Sequence, residues 1–410
     1  MDLDISGLGG LGDGVGRLAD GQVVFVPGAL PGDRVQIAVV GKRQGVLRGQ
    51  LLALRAASAD RSEPACAAFG TCGGCDLQHL ADAARLAHHR QLLQRVVGPR
   101  VDVRAVAVPA AGHRRRARVH LRQDQGRLVA GMLAARSDRV AEAPHCPALD
   151  PALETVRQRA PAALADFFYL GELAMVRGSQ GVVATLTGKV RSAPPTAQEL
   201  CARLAVAGLR YRLGQHADEF GERAVRLPEI DPPWEVWTLA DGFCQASEHG
   251  NRALRAAVDA ALAEAGPLDR AAEFYAGSGN FTDLLLRRGA KVVAFEQDEA
   301  ACAQLAASAR QAGWSDRLRI LHGDVAAQLA AAAGHGVWLL DPGRPGAPDL
   351  CAAAGRLGPR HVVYVSCALD TLGRDARTLA GHGFAPVAAT AIDAFAWTTH
   401  TEAVVHFARA

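Results

Sequence analysis

Lysine is almost absent from this chain, with three residues in 410 against 42 arginines. Such a bias inflates every apparent basic patch, and the net charge of +3 is too small to argue by itself for a nucleic-acid partner. Long apolar runs are missing too. No segment approaches the ~20 residues of a membrane span, and the N-terminus MDLDISGLGG lacks the basic and apolar regions of a signal peptide. These absences lead to the expectation of a cytoplasmic protein with no membrane partner, where thiols stay reduced and grouped cysteines serve metal binding or catalysis. There is no internal repeat and no low-complexity tract beyond alanine-rich helices. What remains is a chain of ordinary globular composition, 49% hydrophobic and 21% charged, long enough for two or three domains.

Against that background, nine cysteines stand out, and four of them read as one metal site. Cys66, Cys72 and Cys75 form the run Cys-x5-Cys-Gly-Gly-Cys, and the distant Cys146 is followed by proline. The two glycines leave the backbone free to fold close around a bulky inorganic cluster and turn amide N–H groups toward its sulfides. A Cys-Pro terminal ligand with no histidine in the set favours a [4Fe–4S] cluster, with a four-thiolate zinc site as the alternative. The first gap of five residues is wrong for a radical S-adenosylmethionine enzyme, whose ligands run Cys-x3-Cys-x2-Cys.

Residues 1–58 alternate short apolar runs with Gly, Asp and Pro turns, as a small five-stranded barrel of the oligonucleotide-binding type does. Residues 59–235 hold the cysteines and an arginine stretch. Ten arginines and one acid, Asp102, lie between Arg85 and Arg122, a composition suited to a phosphate backbone. The proline-rich joints Ser192–Pro195 and Asp231–Trp234 mark turns, and the second is taken as a domain boundary. From 236 to 410, apolar strands alternate with helices, the pattern of a doubly wound parallel sheet with ligands at the carboxyl ends of its strands.

The loop Tyr275-Ala-Gly-Ser-Gly-Asn280 follows the first of these strands but lacks the full G-x-G-x-x-G spacing. Glu296 closes the next strand and suits ribose hydroxyls. Asp324, at the end of the third strand, suits an adenine amino group, and Asp341 ends the fourth. Acids collected at one edge repel a pyrophosphate and attract the cationic sulfonium of S-adenosylmethionine. Cys367 ends the strand VVYVSC at that same edge, whereas Cys302 and Cys351 read as inert core residues. A thiolate adding to C6 of uracil turns the ring into an enolate whose C5 can attack a methyl sulfonium. A base must then take the C5 proton, and Glu402 is the candidate, with His400 competing.

Taken together, these residues resemble the RNA uracil-C5 methyltransferase family, specifically its iron–sulfur members with an N-terminal TRAM domain. Cys66-x5-Cys72-Gly-Gly-Cys75-Asp-Leu-Gln-His79 and His145-Cys146-Pro147 match the family's cluster segment, Phe274–Phe281 resembles its donor-binding loop, and Phe243-Cys-Gln245 with Asn251 resembles a donor-contacting segment. Ser366-Cys367 with Thr371–Asp375 resembles its nucleophile motif, and Thr401-Glu402-Ala-Val its proton-abstracting glutamate. The resemblance implies a C-terminal class I methyltransferase (Rossmann-like) domain, an N-terminal OB-like TRAM barrel and a central α+β iron–sulfur domain. It makes Cys367 the nucleophile, Glu402 the base, and Gln245, Tyr275, Asn280, Glu296, Asp324 and Asp341 the methyl-donor ligands. It also implies S-adenosylmethionine and a [4Fe–4S] cluster as cofactors, an RNA partner with ribosomal favoured over transfer RNA, a monomer, and an arginine stretch forming part of the substrate surface. Three positions depart from the family pattern: Gly343 replaces a proline, Ala368-Leu369 replaces Asn-Pro, and Ala276 replaces a cysteine. Two other readings remain, a non-catalytic RNA-binding relative and a small-molecule methyltransferase.

Overall fold

A computed structural model describes residues 1–43 and 45–409. The chain divides into two compact units, each assembled from separate stretches of sequence.

The first unit comprises Met1–His88, Val129–Pro147 and Trp397–Thr399. Its strands Asp2–Leu8, Gly14–Arg17, Val23–Val26, Arg34–Arg43 and Val46–Ala56 close into a barrel in the order first, second, third, fifth, fourth. Alternation drives the closure: Leu3 and Ile5 point inward from the first strand and meet Val24, Val26, Val35 and Ile37 in one apolar core. The expected five-stranded barrel is therefore present. Beyond it, Arg61 bridges to Leu80, and Cys72 bridges to Ala134. The segment carrying the first three cysteines is thus tied at both ends.

The second unit holds strands of two large sheets and a small two-stranded one, Ala224–Arg226 with Trp237–Leu239. In one large sheet, strands His216–Gly221, Gly208–Leu213, Gly181–Val190, Phe168–Gly178 and Arg116–Asp124 lie side by side in that order. Helices Pro151–Leu164 and Ala197–Leu204 accompany them, capped by Asp150 and by a reciprocal Thr196–Glu199 capping box.

The other large sheet runs Leu318–His322, Lys291–Glu296, Arg270–Phe274, Val337–Leu340, His361–Ser366, Glu402–Arg409, Phe384–Ile392, Val103–Val106. The first five are mutually parallel, and Glu402–Arg409 inserts antiparallel between two neighbours. Both faces are covered. Leu254, Val258, Leu285, Leu305, Leu339 and Val363 pack on one side, while Phe274, Phe295, Trp338, Tyr364 and Leu372 pack on the other. This is the expected doubly wound α/β architecture. Among the described residues, no helix is long and apolar enough to cross a membrane.

Candidate active site

Parallel register fixes the ends of the sheet strands side by side. Phe274 pairs with both Phe295 and Leu340, so Tyr275, Glu296 and Asp341 emerge at one edge. The next strand ends at Ser366, placing Cys367 on the same edge. Antiparallel pairing of Ser366 with Ala403 then brings Glu402, the first residue of its strand, opposite Cys367. Tyr275, Glu296, Asp341, Cys367 and Glu402, scattered along the sequence, are gathered here by backbone register in one rim, the place where open α/β sheets bind ligands.

The glycine loop is held in a shape that admits few side chains. Tyr275, Gly277 and Gly279 have left-handed φ values of 62°, 55° and 94°. A Cβ on Gly279 would sit 2.9 Å from the Trp234 ring and 2.7 Å from Leu305. Trp234, from the proline-rich joint, donates its indole N–H to the Gly279 carbonyl at 3.0 Å and stacks on Trp314. Glu296 accepts the Gly277 N–H on Oε2, and the Gln297 and Asp298 N–H groups on Oε1. Oε1 is thereby saturated, while Oε2 keeps a second lone pair for a ligand hydroxyl.

Asn280 closes the loop and exchanges side-chain hydrogen bonds with Asn251 at 2.8 and 2.9 Å. Asn251 also donates to Glu229, which Arg115 grips in a buried bidentate pair at 2.5 and 2.6 Å. Arg115 reaches Gln245 as well, donating from Nε to its backbone carbonyl at 3.1 Å. Gln245, Asn251 and Asn280 are therefore linked through one polar network whose anchors, Arg115 and Glu229, are invisible to motif reading. The arginine stretch needs correcting here. Strand alternation turns Arg115 into the interior while Arg118 faces out to Glu172, so one guanidinium of the stretch is a buried structural cation and cannot form part of a substrate surface.

On the other side of Cys367, the loop from Asp341 to Ala347 is stitched to the helix Leu369–Gly381. Thr371 donates to the Arg344 carbonyl, Arg374 donates to Pro345, and the buried Asp375 accepts from Ala347 N–H and the Tyr364 hydroxyl. Gly343, where the family pattern has proline, is thus flanked by a loop fixed by side chains further on. Ala368 still starts the helix, and the Ser366 hydroxyl contacts both its N–H and its carbonyl at 3.1 Å.

Burial sets the electrostatics of this edge. It pushes Glu402 up to about 8, helped by the nearby Asp341 charge, and pushes Asp341 up to about 7. Glu273, inside the strand before the glycine loop, rises to about 8 through burial and the surrounding acids, and its Oε2 has no partner among the described residues. Burial raises the Cys367 thiol, Glu402 and Asp341 raise it further, and Arg344 acts in the opposite sense. The edge is short of positive charge. A cation entering it would relieve several acids at once.

Two predicted residues lie differently. Asp324 is exposed and caps the short helix Val325–Gln328 by accepting from Ala326 N–H. His400 is exposed beside Phe395, whereas Glu402 is 3% exposed and faces the cysteine. A further residue escaped sequence reasoning: the buried His89 meets the Thr401 hydroxyl through Nδ1 and Asp393 through Nε2, the latter at 3.5 Å, fixing the residue before Glu402.

In the other unit, all four predicted metal cysteines are partly buried. The Gly74 N–H points at Cys72 Sγ at 3.4 Å, and Cys66 Sγ lies 3.9 Å from the carbonyl of His145, the residue before Cys146. A Cβ on Gly74 would meet the Cys72 sulfur at 3.5 Å, an ordinary contact distance. Among the described residues, however, no three His, Cys, Asp or Glu side chains converge closely enough to hold a metal ion. The four-thiol donor chemistry and the N–H-to-sulfur contact fit a thiolate-bound cluster.

The TRAM domain family matches residues 1–52. Across nearly the whole chain, similarity extends to proteins named 23S rRNA (uracil(1939)-C(5))-methyltransferase RlmD. That of Pseudomonas putida is 34% identical over 99% of this chain and 93% of its own length. That of Halomonas elongata is 32% identical, covering 98% and 88%. The chain belongs to the RNA uracil-C5 methyltransferase family. The Klebsiella pneumoniae relative of the same name is 30% identical over 100% of this chain and 96% of its own. For this family member the fold also has a solved counterpart, the Pyrococcus abyssi tRNA (uracil-54, C5)-methyltransferase with S-adenosyl-L-homocysteine. It superposes with a TM-score of 0.77 over 99% of this chain and all of that one, at 21% identity.

Proposed function

We propose that this family member methylates C5 of a uridine in large-subunit ribosomal RNA, using S-adenosylmethionine and a covalent Cys367 adduct. The observation that carries the reading is the pairing of Ser366 with Ala403, which sets a thiol and a buried carboxyl facing each other at the rim of acids. The choice of ribosomal RNA is supported by relatives at 30–34% identity that are named 23S rRNA methyltransferases.

In this scheme, bound S-adenosylmethionine supplies an electrophilic methyl group on a cationic sulfur. Gln245, Tyr275, Asn280, Glu296, Asp324 and Asp341 hold it, with Asp324 contributing from the exposed end of the set. Cys367, as thiolate, adds to C6 of uracil and makes C5 nucleophilic, so C5 takes the methyl carbon as the carbon–sulfur bond of the donor breaks. Glu402 accepts the C5 proton, the C6–S bond breaks, and Cys367 leaves as thiolate. Arg344 and the donor's sulfonium offset the burial that raises the thiol. Glu402 must be ionised to act, so the same sulfonium also prepares the base.

Cys66, Cys72, Cys75 and Cys146 would hold a [4Fe–4S] cluster, which supplies rigidity to an otherwise loop-built segment; zinc is the competing occupant. Anaerobic purification followed by iron, sulfide and zinc analysis decides between them. The domain scheme proposed with it is 1–58 TRAM barrel, 59–235 central iron–sulfur and RNA-binding region, and 236–410 methyltransferase, in a cytoplasmic monomer.

The test of the function is nucleoside mass spectrometry after incubating the protein with methyl donor and unmodified ribosomal or transfer RNA. New 5-methyluridine in large-subunit RNA is expected. Methyl incorporation at another atom, or none in any RNA, would reject the reading.

A further inference from the structure

The first unit contains a cavity of about 470 Å³ that plays no part in methyl transfer as described above, lined by Gly28, Leu54, Arg61, Glu63, Phe69 and His79. Its walls are built. Ser62 N–H donates to the His79 carbonyl at 3.0 Å, the Ser62 hydroxyl donates to the Gln78 carbonyl, and the Gln78 side chain accepts the Cys66 N–H at 3.0 Å. Together with the Arg61–Leu80 bridge, these bonds zip residues 61–66 onto 77–80. Phe69 and His79 form an aromatic corner, their ring centroids 5.1 Å apart and tilted by 40°.

His79 is the telling residue. It is only 4% exposed, yet neither ring nitrogen has a hydrogen-bond partner among the described residues. Buried polar atoms are seldom left so in a folded protein unless a ligand or ordered water completes them. Burial and the neighbouring Arg61 charge push this ring down to about 4, so at neutral pH it is uncharged and offers one N–H donor and one acceptor. The two nitrogens point to opposite sides of the ring, and either can meet one donor or acceptor atom on the edge of a nucleobase. The uncharged ring does not match a phosphate, and the rest of the cavity agrees. Arg61, the one cation in its wall among the described residues, is committed to Asp33 at 2.7 and 2.9 Å and to the Gly28 carbonyl, while Glu63 adds negative charge at the exposed side.

We propose that this cavity binds one unstacked base of the RNA substrate, with the base face on Phe69 and one polar atom of its edge hydrogen-bonded to a His79 ring nitrogen. The inference rests on the reading that the protein acts on RNA. Single-stranded bases are recognised in this way, by stacking on aromatic rings and hydrogen bonding at their exposed edges, and the barrel that supplies Gly28 and Leu54 is of the type used for that purpose. The 470 Å³ volume lies within the range of small-molecule sites and admits any of the four bases.

The experiment uses the full-length protein with its metal content matched between variants. The probe is a fluorescent large-subunit rRNA fragment chosen because it gives 5-methyluridine with wild type. Phe69→Leu keeps the apolar bulk and removes the stacking ring, and should weaken binding about tenfold. His79→Gln retains a donor and an acceptor and should bind close to wild type, while His79→Leu should weaken binding about as much as Phe69→Leu. A series of single abasic sites walked along the fragment then identifies the occupant: one site should weaken wild type by a similar factor and have no further effect on Phe69→Leu. Unchanged affinity in Phe69→Leu and His79→Leu, or abasic losses that all add to that of Phe69→Leu, would overturn the proposal while 5-methyluridine formation leaves the enzyme reading standing. Loss of 5-methyluridine with every RNA would count against the enzyme reading instead. If His79→Leu fails to melt cooperatively, Phe69→Leu and the abasic series still decide the matter.

Discussion

Glu229 and Glu402 are both carboxylates sealed from water in the same unit, yet their surroundings differ in sign. Glu229 is gripped at both oxygens by the Arg115 guanidinium and also accepts from Asn251. Glu402 is lifted to about 8 by burial, and its electrostatic neighbour is another acid, Asp341. A buried acid with a matched cation serves as a girder. A group of buried acids without one is costly to keep charged, and that cost falls when a positive ligand arrives. The difference separates the framework beneath the donor loop from the rim where the chemistry is placed, and it explains why a sulfonium suits this rim better than a pyrophosphate.

The most severe way to break the comparison is on the reactive side. Cys367→Ala should abolish 5-methyluridine formation to the detection limit while leaving donor binding intact. Glu402→Gln should slow product release by about 10²- to 10⁴-fold and let a covalent protein–RNA species that already carries the methyl group accumulate, visible on a denaturing gel and by mass spectrometry. If Glu402→Gln turns over normally, the base lies elsewhere.

On the framework side, Glu229→Ala strands the Arg115 charge in the interior and should cost about 3–5 kcal/mol of stability in chemical denaturation. By contrast, Arg118→Ala, which removes an exposed ion pair with Glu172, should cost only about 0–1 kcal/mol. Equal losses in the two would remove the distinction between buried and exposed arginines in this stretch.

A milder test follows from proton linkage. The folded protein raises Glu402 and Glu273 from an ordinary 4.5 to about 8, so between those values it binds protons that the unfolded chain has released. Stability of the ligand-free protein should therefore be fullest below about pH 4.5 as far as these two groups are concerned, and fall as pH rises through about 8. Glu402→Gln should flatten this fall. By the same linkage, S-adenosylmethionine affinity should rise between pH 6 and pH 8.5, by about threefold to tenfold, and that of the uncharged-sulfur product S-adenosylhomocysteine should change less. Calorimetric titration of both ligands across that range checks the sign.

Much of this architecture was legible because of one property of the sequence. Runs such as KVVAFE, VWLL and VVYVS are apolar at consecutive positions, which only a strand covered on both faces tolerates, and their last residues then mark a ligand-binding edge. The proximity of Glu402 to Cys367 needed the antiparallel register, which no local pattern supplies. Arg115 was misleading for a different reason. In Arg114-Arg-Arg116 the three side chains look equivalent until the bridge at Arg114 and the strand from Arg116 fix which of them turns inward. Glu229 and His89 carry no motif at all; their partners come from 114 residues earlier and 312 residues later. At Asp324 the sequence marked the acid after the strand but not that the same carboxylate also caps the next helix.

The central claim is covalent attack by Cys367, and 5-fluorouridine tests it most directly. Fluorine at C5 cannot leave as a proton, so the adduct formed after methyl transfer has no exit. Wild type incubated with methyl donor and 5-fluorouridine-substituted ribosomal RNA should give a slow-migrating protein–RNA band on a denaturing gel that Cys367→Ala lacks. A band that persists in Cys367→Ala, or no band from a wild type that binds both donor and RNA, would contradict the account.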